Sequence, residues 1–242
     1  MSSTRIEAVL FDLDGTLLHT SPDLAVAANL ALAECGLPAI EQGRIETFIG
    51  KGIDVLVQRC LREVCQPDSG TVLDRLRQAF MRHYELSNGL HASGYQGVVE
   101  GLDAFRAAGL RLGVCTNKSA RFTQPLLDRF DLSHYFDVVV SGDTAPRKKP
   151  DAAPMLWACE VLALPAPAVL MIGDSDNDAL GARAAGCPVW LVHYGYHGGE
   201  PVRTIDCDGI VSTLLEAALL LRSRDFCPYL NDYPHPHPNP SP

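Results

Sequence analysis

The sequence predicts an α/β protein in which a doubly wound, Rossmann-like parallel sheet carries an inserted all-helical domain. Short, continuous apolar runs alternate with segments of helical periodicity along most of the chain. One long stretch, residues 18–92, interrupts this alternation with helical patterns and no convincing strand. The chain has 242 residues, which suits one large domain or a core domain with a smaller one inserted in it.

Five apolar runs are the predicted strands of the sheet. They are continuous rather than alternating, which is typical of parallel strands that are covered by helices on both faces. The runs are Ala8–Phe11, 110–115, Val138–Val140, 169–172 and Val189–Val192. The helical segments that accompany them are 98–108, 119–129, 151–163, 176–186 and 212–222. Because strands and helices alternate, we expect the sheet to be parallel and doubly wound.

The inserted segment, residues 18–92, begins with a helix start signal. Ser21 offers a side-chain cap, Pro22 fits the first helical position, and Asp23 suits the positive end of the helix dipole. Apolar residues at helical spacing then occupy 25–35, Ile53–Val64 and 72–86.

The domain organisation follows from this insert. Residues 1–17 and 93–224 are predicted to form the core, so the chain crosses between the two domains twice and a hinge is expected there. The last segment, 225–242, is rich in proline and is predicted to be an extended or flexible tail. His235 and His237 lie in this tail, which is typical of a solvated low-complexity segment rather than of a metal site.

Composition excludes several classes of protein. The formal net charge is -9 and no long basic stripe is present, so nucleic acid is not an expected partner. No apolar stretch is long enough to span a bilayer, and the N-terminus runs directly into the first strand, so neither a membrane span nor a signal peptide is expected. The eight cysteines include no Cys-x-x-Cys pair, which favours reduced thiols in a cytoplasmic protein.

Two aspartates, Asp12 and Asp14, follow the first predicted strand in the heptapeptide FDLDGTL of residues 11–17. In a doubly wound sheet, ligands bind beyond the carboxyl ends of the strands. Two carboxylates in that place are costly unless a cation neutralises them, and Mg²⁺ prefers oxygen ligands of this kind. The alternative is an Asp-Gly turn without a ligand. The position of the whole heptapeptide favours a metal and substrate site.

Three further polar segments lie later in the chain, at or near the ends of other predicted strands. Thr116 and Asn117 follow one strand, the basic run 147–149 stands before Pro150, and the segment GDSDND of residues 173–178 follows another strand. Alone, these are typical of a helix cap, a solvated loop and an acidic helix start. Together, and in this order, they resemble the four motifs of the haloacid dehalogenase-like phosphatase superfamily.

The resemblance implies a catalytic role for each motif. Asp12 would be the nucleophile that forms an aspartyl-phosphate, and Asp14 the general acid and base. Residues that would hold the phosphoryl group are Thr116, Asn117 and Lys149, with Lys148 as the alternative lysine. Residues that would bind Mg²⁺ are Asp12, Asp14 and Asp174. Asp178 would be a supporting acid that reaches the metal directly or through water.

The helical insert lies between the first and second motifs, which resembles the helical-cap members of that superfamily; we call residues 18–92 the cap. Caps of this kind suit small phosphorylated metabolites rather than proteins. Segments 48–52, 141–144 and 194–201 resemble phosphoglycolate phosphatases, so 2-phosphoglycolate is the expected substrate. Lys51 would pair with the carboxylate of that substrate or lie in solvent.

Other functions stay open at this point. A sugar-phosphate phosphatase has the same motifs, and a phosphomutase shares the aspartyl-phosphate but isomerises a sugar phosphate. A dehalogenase would not need the acid at Asp14. A different class of protein, a catalytically silent binding module, can be built on the same fold. The sequence leaves the oligomeric state open.

Overall fold

The structure is a computed structural model and describes residues 5–65, 70–199 and 201–223. The tail predicted at 225–242, with His235 and His237, lies outside these residues. Among the helices that are described, none has both the length and the apolar composition that crossing a membrane requires.

Eight strands and nine α-helices are present in the described residues. The strands are β1 (Ala8–Phe11), β2 (Leu18–His19), β3 (Ser93–Gly94), β4 (Arg111–Cys115), β5 (Val138–Val140), β6 (Val169–Gly173), β7 (Val189–Val192) and β8 (Gly209–Val211). The helices are α1 (Ser21–Glu34), α2 (Gln42–Glu46), α3 (Ile53–Val64), α4 (Gly70–Ser87), α5 (Val98–Ala107), α6 (Ala120–Arg129), α7 (Ala153–Val161), α8 (Asp176–Ala185) and α9 (Leu214–Arg222).

Six of the strands form one sheet in the order β5-β4-β1-β6-β7-β8, and all neighbouring pairs are parallel. Strand β1 lies between β4 and β6, and its residues are fully buried. Val9 and Phe11 pack on the side of α5, α6 and α9, whereas Ala8 and Leu10 pack on the side of α7 and α8. Helices on both faces explain the continuous apolar runs, and the predicted doubly wound parallel sheet is confirmed.

The sixth strand of this sheet, β8, was not predicted. It has three residues, it lies at the edge of the sheet, and only Val211 of the three is buried. So short an edge strand lacks the apolar run that identified the other strands.

The four helices α1 to α4 have a hydrophobic core of their own, separate from the two cores on the faces of the sheet. Leu32 of α1, Leu56 of α3 and Phe80 of α4 are among its buried residues. The short helix α2 was not predicted, because Ile45 is its only buried residue and no periodicity results. The prediction that 18–92 contains no strand is wrong at its first residues: β2 pairs with β3 as an antiparallel ribbon at the two crossings.

The start of α1 also differs from the sequence prediction. The helix begins at Ser21, and neither Ser21 nor the residue before it, Thr20, caps the helix through its side chain. Instead, the backbone N–H groups of Thr20 and Ser21 donate to the Tyr196 hydroxyl at 2.7 and 2.9 Å. A side chain from the core therefore replaces the local cap, which no local sequence signal reveals.

The seven cysteines in the described part of the chain are free thiols. Four of them, Cys60, Cys115, Cys159 and Cys187, are buried, and the other three are partly buried. Cys227 lies outside the described residues.

Candidate active site

The carboxyl ends of the three central strands bring the first, second and fourth motifs together. Asp12 follows β1, Thr116 follows β4 and Asp174 follows β6. Because β1 is paired with both of the other strands, these three residues leave the sheet side by side at one edge. All three side chains are buried. This edge is where a doubly wound sheet binds its ligands.

Three buried carboxylates at this edge form a group that can hold a metal ion. Asp12, Asp174 and Asp178 each offer an oxygen, and these oxygens lie within 4.8 Å of one another. The Asp14 side chain, predicted as a ligand, does not belong to this group. Its carboxylate is bound by Lys118 and by the Thr20 hydroxyl instead.

Lys149 is the cation that lies among the carboxylates. Its Nζ is 3.1 Å from Oδ1 of Asp12 and 2.6 Å from Oδ1 of Asp178, and it donates to the Cys115 carbonyl at 2.6 Å. Burial by itself lowers the pKa of Lys149, but the two carboxylates outweigh burial and raise the pKa above its ordinary value. Of the two adjacent lysines, Lys149 is buried in the site and Lys148 is exposed.

Two of the carboxylates at the site, those of Asp12 and Asp174, have raised pKa values. Burial raises the pKa of Asp12 from 3.8 to about 6, although Lys149 opposes the shift. Burial, together with Asp178 and Asp12, raises the pKa of Asp174 well above 3.8. Both shifts express the cost of several negative charges in a poorly solvated place.

The formal charges of the site do not balance. Among the described residues, the ionisable groups of this site are the carboxylates of Asp12, Asp14, Asp174 and Asp178 and the buried ammonium groups of Lys118 and Lys149. With all six groups ionised, four negative and two positive charges leave an excess of two negative charges. A divalent cation would neutralise that excess, and carboxylate oxygens are suitable ligands for it.

Asp178 supports the site through its hydrogen bonds. Its Oδ2 accepts from the N–H groups of Asp174 and Ser175 at 3.2 and 3.1 Å and from the Ser175 hydroxyl at 2.8 Å. The contact with the Ser175 N–H is one half of the capping box that begins α8; in the other half the Asp178 N–H donates to the Ser175 side chain. A Cβ atom on Gly173 would lie 2.2 Å from Cγ of Asp178, so the glycine makes room for this close approach.

Asp174 is enclosed by backbone from two other segments. The Tyr196 N–H donates to its Oδ2 at 2.7 Å. A Cβ atom on Gly15 would lie 2.1 Å from the same oxygen, and one on Gly195 would lie 2.1 Å from the Asp174 Cβ. Gly15 also has φ +90°, which favours glycine. The glycine of the heptapeptide and the segment 194–201 therefore both serve to enclose Asp174.

Three residues of the site were missed by sequence reasoning: Lys118, Tyr84 and Thr20. The Lys118 Nζ donates to both oxygens of Asp14 at 2.9 and 3.1 Å and to the Tyr84 hydroxyl at 2.6 Å. The Thr20 hydroxyl donates to Oδ1 of Asp14 at 2.6 Å. The sequence did contain one signal for Lys118, which directly follows Thr116 and Asn117. Several acids are predicted at this end of the sheet, and the charge of Lys149 alone cannot balance them.

Asn117 connects the core to the cap. Its Nδ2 donates to the carbonyls of Gly50 and Lys149, each at 2.9 Å. A Cβ atom on Gly142 would lie 2.2 Å from the Asn117 carbonyl oxygen, so the segment 141–144 packs directly against this residue. The side chain of Asn117, rather than its backbone alone, thus holds the loop of the cap on the core.

A cavity of about 30 Å³ lies between Asp12 and the cap. From the core it is lined by Asp12, Asp14, Thr116, Asn117 and Lys118, and from the cap by Leu24, Ile49, Gly50, Gly52, Ile53 and Leu56. This space has room for about two water molecules. The cap is therefore docked on the core, with apolar side chains over the carboxylates.

Lys51, the predicted contact for a substrate carboxylate, does not line this cavity. Its Nζ lies 4.0 Å from Oδ2 of Asp176, and both side chains are largely exposed. It lines a separate cleft of about 370 Å³ between cap and core.

The arrangement has clear chemical capabilities. Asp12 contacts Lys149 and belongs to the metal-binding group, so it can attack an electrophile whose negative charge Lys149 offsets and a bound metal ion would offset further. Asp14 lies beside it but outside the metal-binding group, so its carboxylate is available for proton transfer.

This chain is similar to known proteins along most of its length. Residues 9–192 match the model of a family described as haloacid dehalogenase-like hydrolase. A phosphoglycolate phosphatase of Thiobacillus denitrificans is 47% identical over 218 residues, which cover 89% of this chain and 96% of the relative. A phosphoglycolate phosphatase of Nitrosospira multiformis is 48% identical, with 90% and 96% covered. The crystal structure of a predicted phosphoglycolate phosphatase from Haemophilus somnus superposes with a TM-score of 0.85 and 33% sequence identity. The match covers 89% of this chain and 98% of that protein's chain.

Proposed function

The chain belongs to the haloacid dehalogenase-like hydrolase family, and on this premise we propose that it hydrolyses 2-phosphoglycolate to glycolate and inorganic phosphate. The observation that carries the reaction is the position of Asp12, whose carboxylate contacts Lys149 and belongs to the metal-binding group. The substrate is supported by the two relatives named phosphoglycolate phosphatase, which match about nine-tenths of this chain.

Mg²⁺ is the cation that this proposal requires. Asp12 and Asp174 would hold it through carboxylate oxygens, and Asp178 would keep Asp174 and Lys149 in place. The excess of two negative charges and the raised pKa values of Asp12 and Asp174 support a divalent ion at this position. When bound, the ion would offset the charge of the phosphoryl oxygens.

In the first step, a carboxylate oxygen of Asp12 attacks the phosphorus atom of the substrate. A bond forms between this oxygen and phosphorus, while the bond from phosphorus to the glycolate oxygen breaks. Asp14, in its protonated form, gives its proton to the departing oxygen, so that glycolate leaves as an alcohol. Thr116 and Lys149 hold the phosphoryl group, and Asn117 keeps the loop of the cap above it.

In the second step, water attacks the phosphorus atom of the aspartyl-phosphate. Asp14 now takes a proton from this water, and the bond from Asp12 to phosphorus breaks. Inorganic phosphate leaves, Asp12 is regenerated as a carboxylate, and Asp14 is protonated again for the next substrate. One carboxylic acid thus serves both steps, since the proton that it loses in the first returns in the second.

The cap fits a small substrate. Its apolar residues cover the site and exclude water, which strengthens the electrostatic interactions beneath. Because a cavity of about 30 Å³ is too small for the substrate, the cap must separate from the core for each turnover.

We propose the division into a core of residues 1–17 and 93–224 and a cap of residues 18–92. We also propose a cytoplasmic location, which the free thiols favour.

The test is a phosphate-release screen over small phosphorylated metabolites, with Mg²⁺ and with EDTA. We expect Mg²⁺-dependent release that is fastest with 2-phosphoglycolate. Activity on hexose phosphates alone would replace the substrate but keep the reaction. Conversion of a sugar monophosphate into its isomer, without free phosphate, would indicate a phosphomutase, and no reaction with any compound would indicate a binding module.

A further inference from the structure

We propose that Lys118 is a positioning residue through which the cap, by way of Tyr84, fixes the carboxylate of Asp14. This inference rests on the proposed function, in which Asp14 is the general acid. It adds that the acid is correctly placed only while the cap is docked on the core.

The first support is the geometry of Lys118. Its ammonium group donates to both oxygens of Asp14, at 2.9 and 3.1 Å, and to the Tyr84 hydroxyl at 2.6 Å. The side chain of Lys118 is only 3% exposed. A lysine so placed has few other partners available, because burial of an ammonium group is unfavourable unless its donors are used.

The second support is that the three residues come from different parts of the fold. Asp14 follows β1 and Lys118 follows β4, so both belong to the core, whereas Tyr84 lies on α4 of the cap. Tyr84 is fully buried, and its ring packs against Phe80 of the cap and Phe122 of the core, with centroids 5.5 and 4.6 Å away. Its hydroxyl therefore reaches Lys118 only when α4 lies against the core.

The third support is the consequence of moving the cap. Separation of the cap from the core would remove the Tyr84 hydroxyl and expose Lys118 to water. A lysine side chain regains considerable rotamer freedom when it is released, so Lys118 would no longer hold Asp14 in one orientation. Thr20, which directly follows β2 at the crossing between core and cap, also donates to Asp14; the expected effect is a loss of orientation rather than a loss of the acid.

The mechanism gives this arrangement a use. When the cap is away from the core, water reaches the site and transfer of phosphate is unproductive. Coupling the acid to the cap means that the leaving oxygen is protonated only in the closed, water-excluding state. The coupling requires no movement of Asp12, Lys149 or the metal-binding acids.

The experiment measures kcat/KM, which reports the step that releases the alcohol, for three small substrates. 2-Phosphoglycolate and ethyl phosphate both release an alkoxide that needs a proton, and only the first carries a carboxylate. Acetyl phosphate releases acetate, which needs no proton. The variants are Tyr84→Phe, Lys118→Met and Lys118→Arg, the double variant Tyr84→Phe with Lys118→Met, and Tyr135→Phe. Tyr135 is the matched control, because its hydroxyl donates to Asp103 at 2.8 Å outside the site.

We expect Lys118→Met to lower kcat/KM for 2-phosphoglycolate and ethyl phosphate by about 10- to 100-fold, part of the contribution of a general acid. Tyr84→Phe should lower both by about 10-fold, and acetyl phosphate should change by less than about 3-fold in either variant. The double variant should be no worse than Lys118→Met, because the two residues act as one unit. Lys118→Arg should recover part of the activity, and Tyr135→Phe should match the wild type.

Four results would overturn the inference: wild-type activity in every variant, equal losses on all three substrates, a loss confined to 2-phosphoglycolate, or additive effects of the two substitutions. A loss confined to 2-phosphoglycolate would assign Lys118 to the substrate carboxylate instead. Tyr84→Phe keeps the test valid if Lys118→Met does not fold. If the wild type hydrolyses none of the substrates, the proposed function fails. This result is distinct from wild-type activity in every variant, which would refute only the role of Lys118.

Discussion

The ammonium group of Lys149 lies 3.1 Å from a carboxylate oxygen of Asp12, and the two side chains are 1% and 8% exposed. Lys149 also binds Asp178, so one buried cation holds two of the acids at the end of the sheet. The stability and the pH dependence that we expect from this site follow from its small number of cations relative to its carboxylates.

Replacement of Lys149 by Met should destabilise the protein strongly. The change leaves buried carboxylates without their counter-ion, which costs about 3–5 kcal/mol. We expect Tm to fall by about 10 °C and phosphate release to be lost. Lys148→Met is the matched control, because this neighbouring lysine is exposed. The free energy of unfolding of this variant should stay within about 0.5 kcal/mol of the wild-type value. Equal changes in Tm for the two variants would contradict the prediction.

Replacement of Asp12 by Asn should abolish turnover without unfolding the protein. The amide keeps the shape of the side chain but cannot form the aspartyl-phosphate, so we expect phosphate release to fall by about 10⁴-fold or more. The metal-free Tm should be unchanged or higher, because one negative charge leaves a crowded site. Asp131→Asn is the control, since the Asp131 side chain is 99% exposed. Substantial turnover by Asp12→Asn would refute the nucleophile.

Replacement of Gly15 by Ala should remove activity through a clash with Asp174. The added Cβ would lie 2.1 Å from an Asp174 oxygen, so the acid has to move. Gly109→Ala is a close control: Gly109 has φ +78°, near the +90° of Gly15, but no atom lies within 4 Å of its Cβ position. Both variants should lose about 1–2 kcal/mol of stability from backbone strain. Only Gly15→Ala should lose Mg²⁺-dependent activity, by about 100-fold or more; equal activities would show that Asp174 tolerates displacement.

The stability of the metal-free protein should depend on pH through Asp12. Its pKa is about 6 in the folded protein and 3.8 ordinarily, so between these values the folded state holds a proton that the unfolded state has lost. More protons bound in the folded state mean that stability falls as pH rises, by about 3 kcal/mol in total and mostly between pH 3.8 and 6.

Denaturant unfolding in EDTA should reveal this loss as the difference between the wild type and Asp12→Asn, which cancels the other acids of the chain. Mg²⁺ competes with protons for the same carboxylates, so it should stabilise the wild type more at pH 7.5 than at pH 5. Stabilisation by Mg²⁺ that is equal at both pH values would show that Asp12 does not titrate in this range.

Sequence reasoning located the strand-end residues of the site because strand order follows from a few rules. Once Asp12, Thr116 and Asp174 are each placed after a parallel strand, they must emerge at the same edge of the sheet. The same reasoning could not show that Asp14 contacts Lys118. That contact depends on the orientation of the Lys118 side chain and on the position of the cap helix that carries Tyr84. A tyrosine on a helical pattern shows only which face is buried, not which residue its hydroxyl meets.

The short elements escaped prediction for another reason. The pairing of β2 with β3 consists of backbone contacts between residues about 75 positions apart, and only tertiary folding brings them together. The hydroxyl of Tyr196 at the start of α1 is a similar case. In each, no local pattern of apolar residues encodes the contact.

The ribbon of β2 and β3 makes the molecule modular. Leu18 pairs with Gly94 and His19 with Ser93, so the chain leaves and re-enters the core at adjacent points, about 5 Å apart in an antiparallel pair. A foreign helical module could be grafted there without lengthening either connection, since the acids and lysines of the site all belong to the core. Such a chimera would inherit the phosphate chemistry intact and exchange only its choice of leaving group, provided that the graft supplies hydroxyls where Thr20 and Tyr84 now stand.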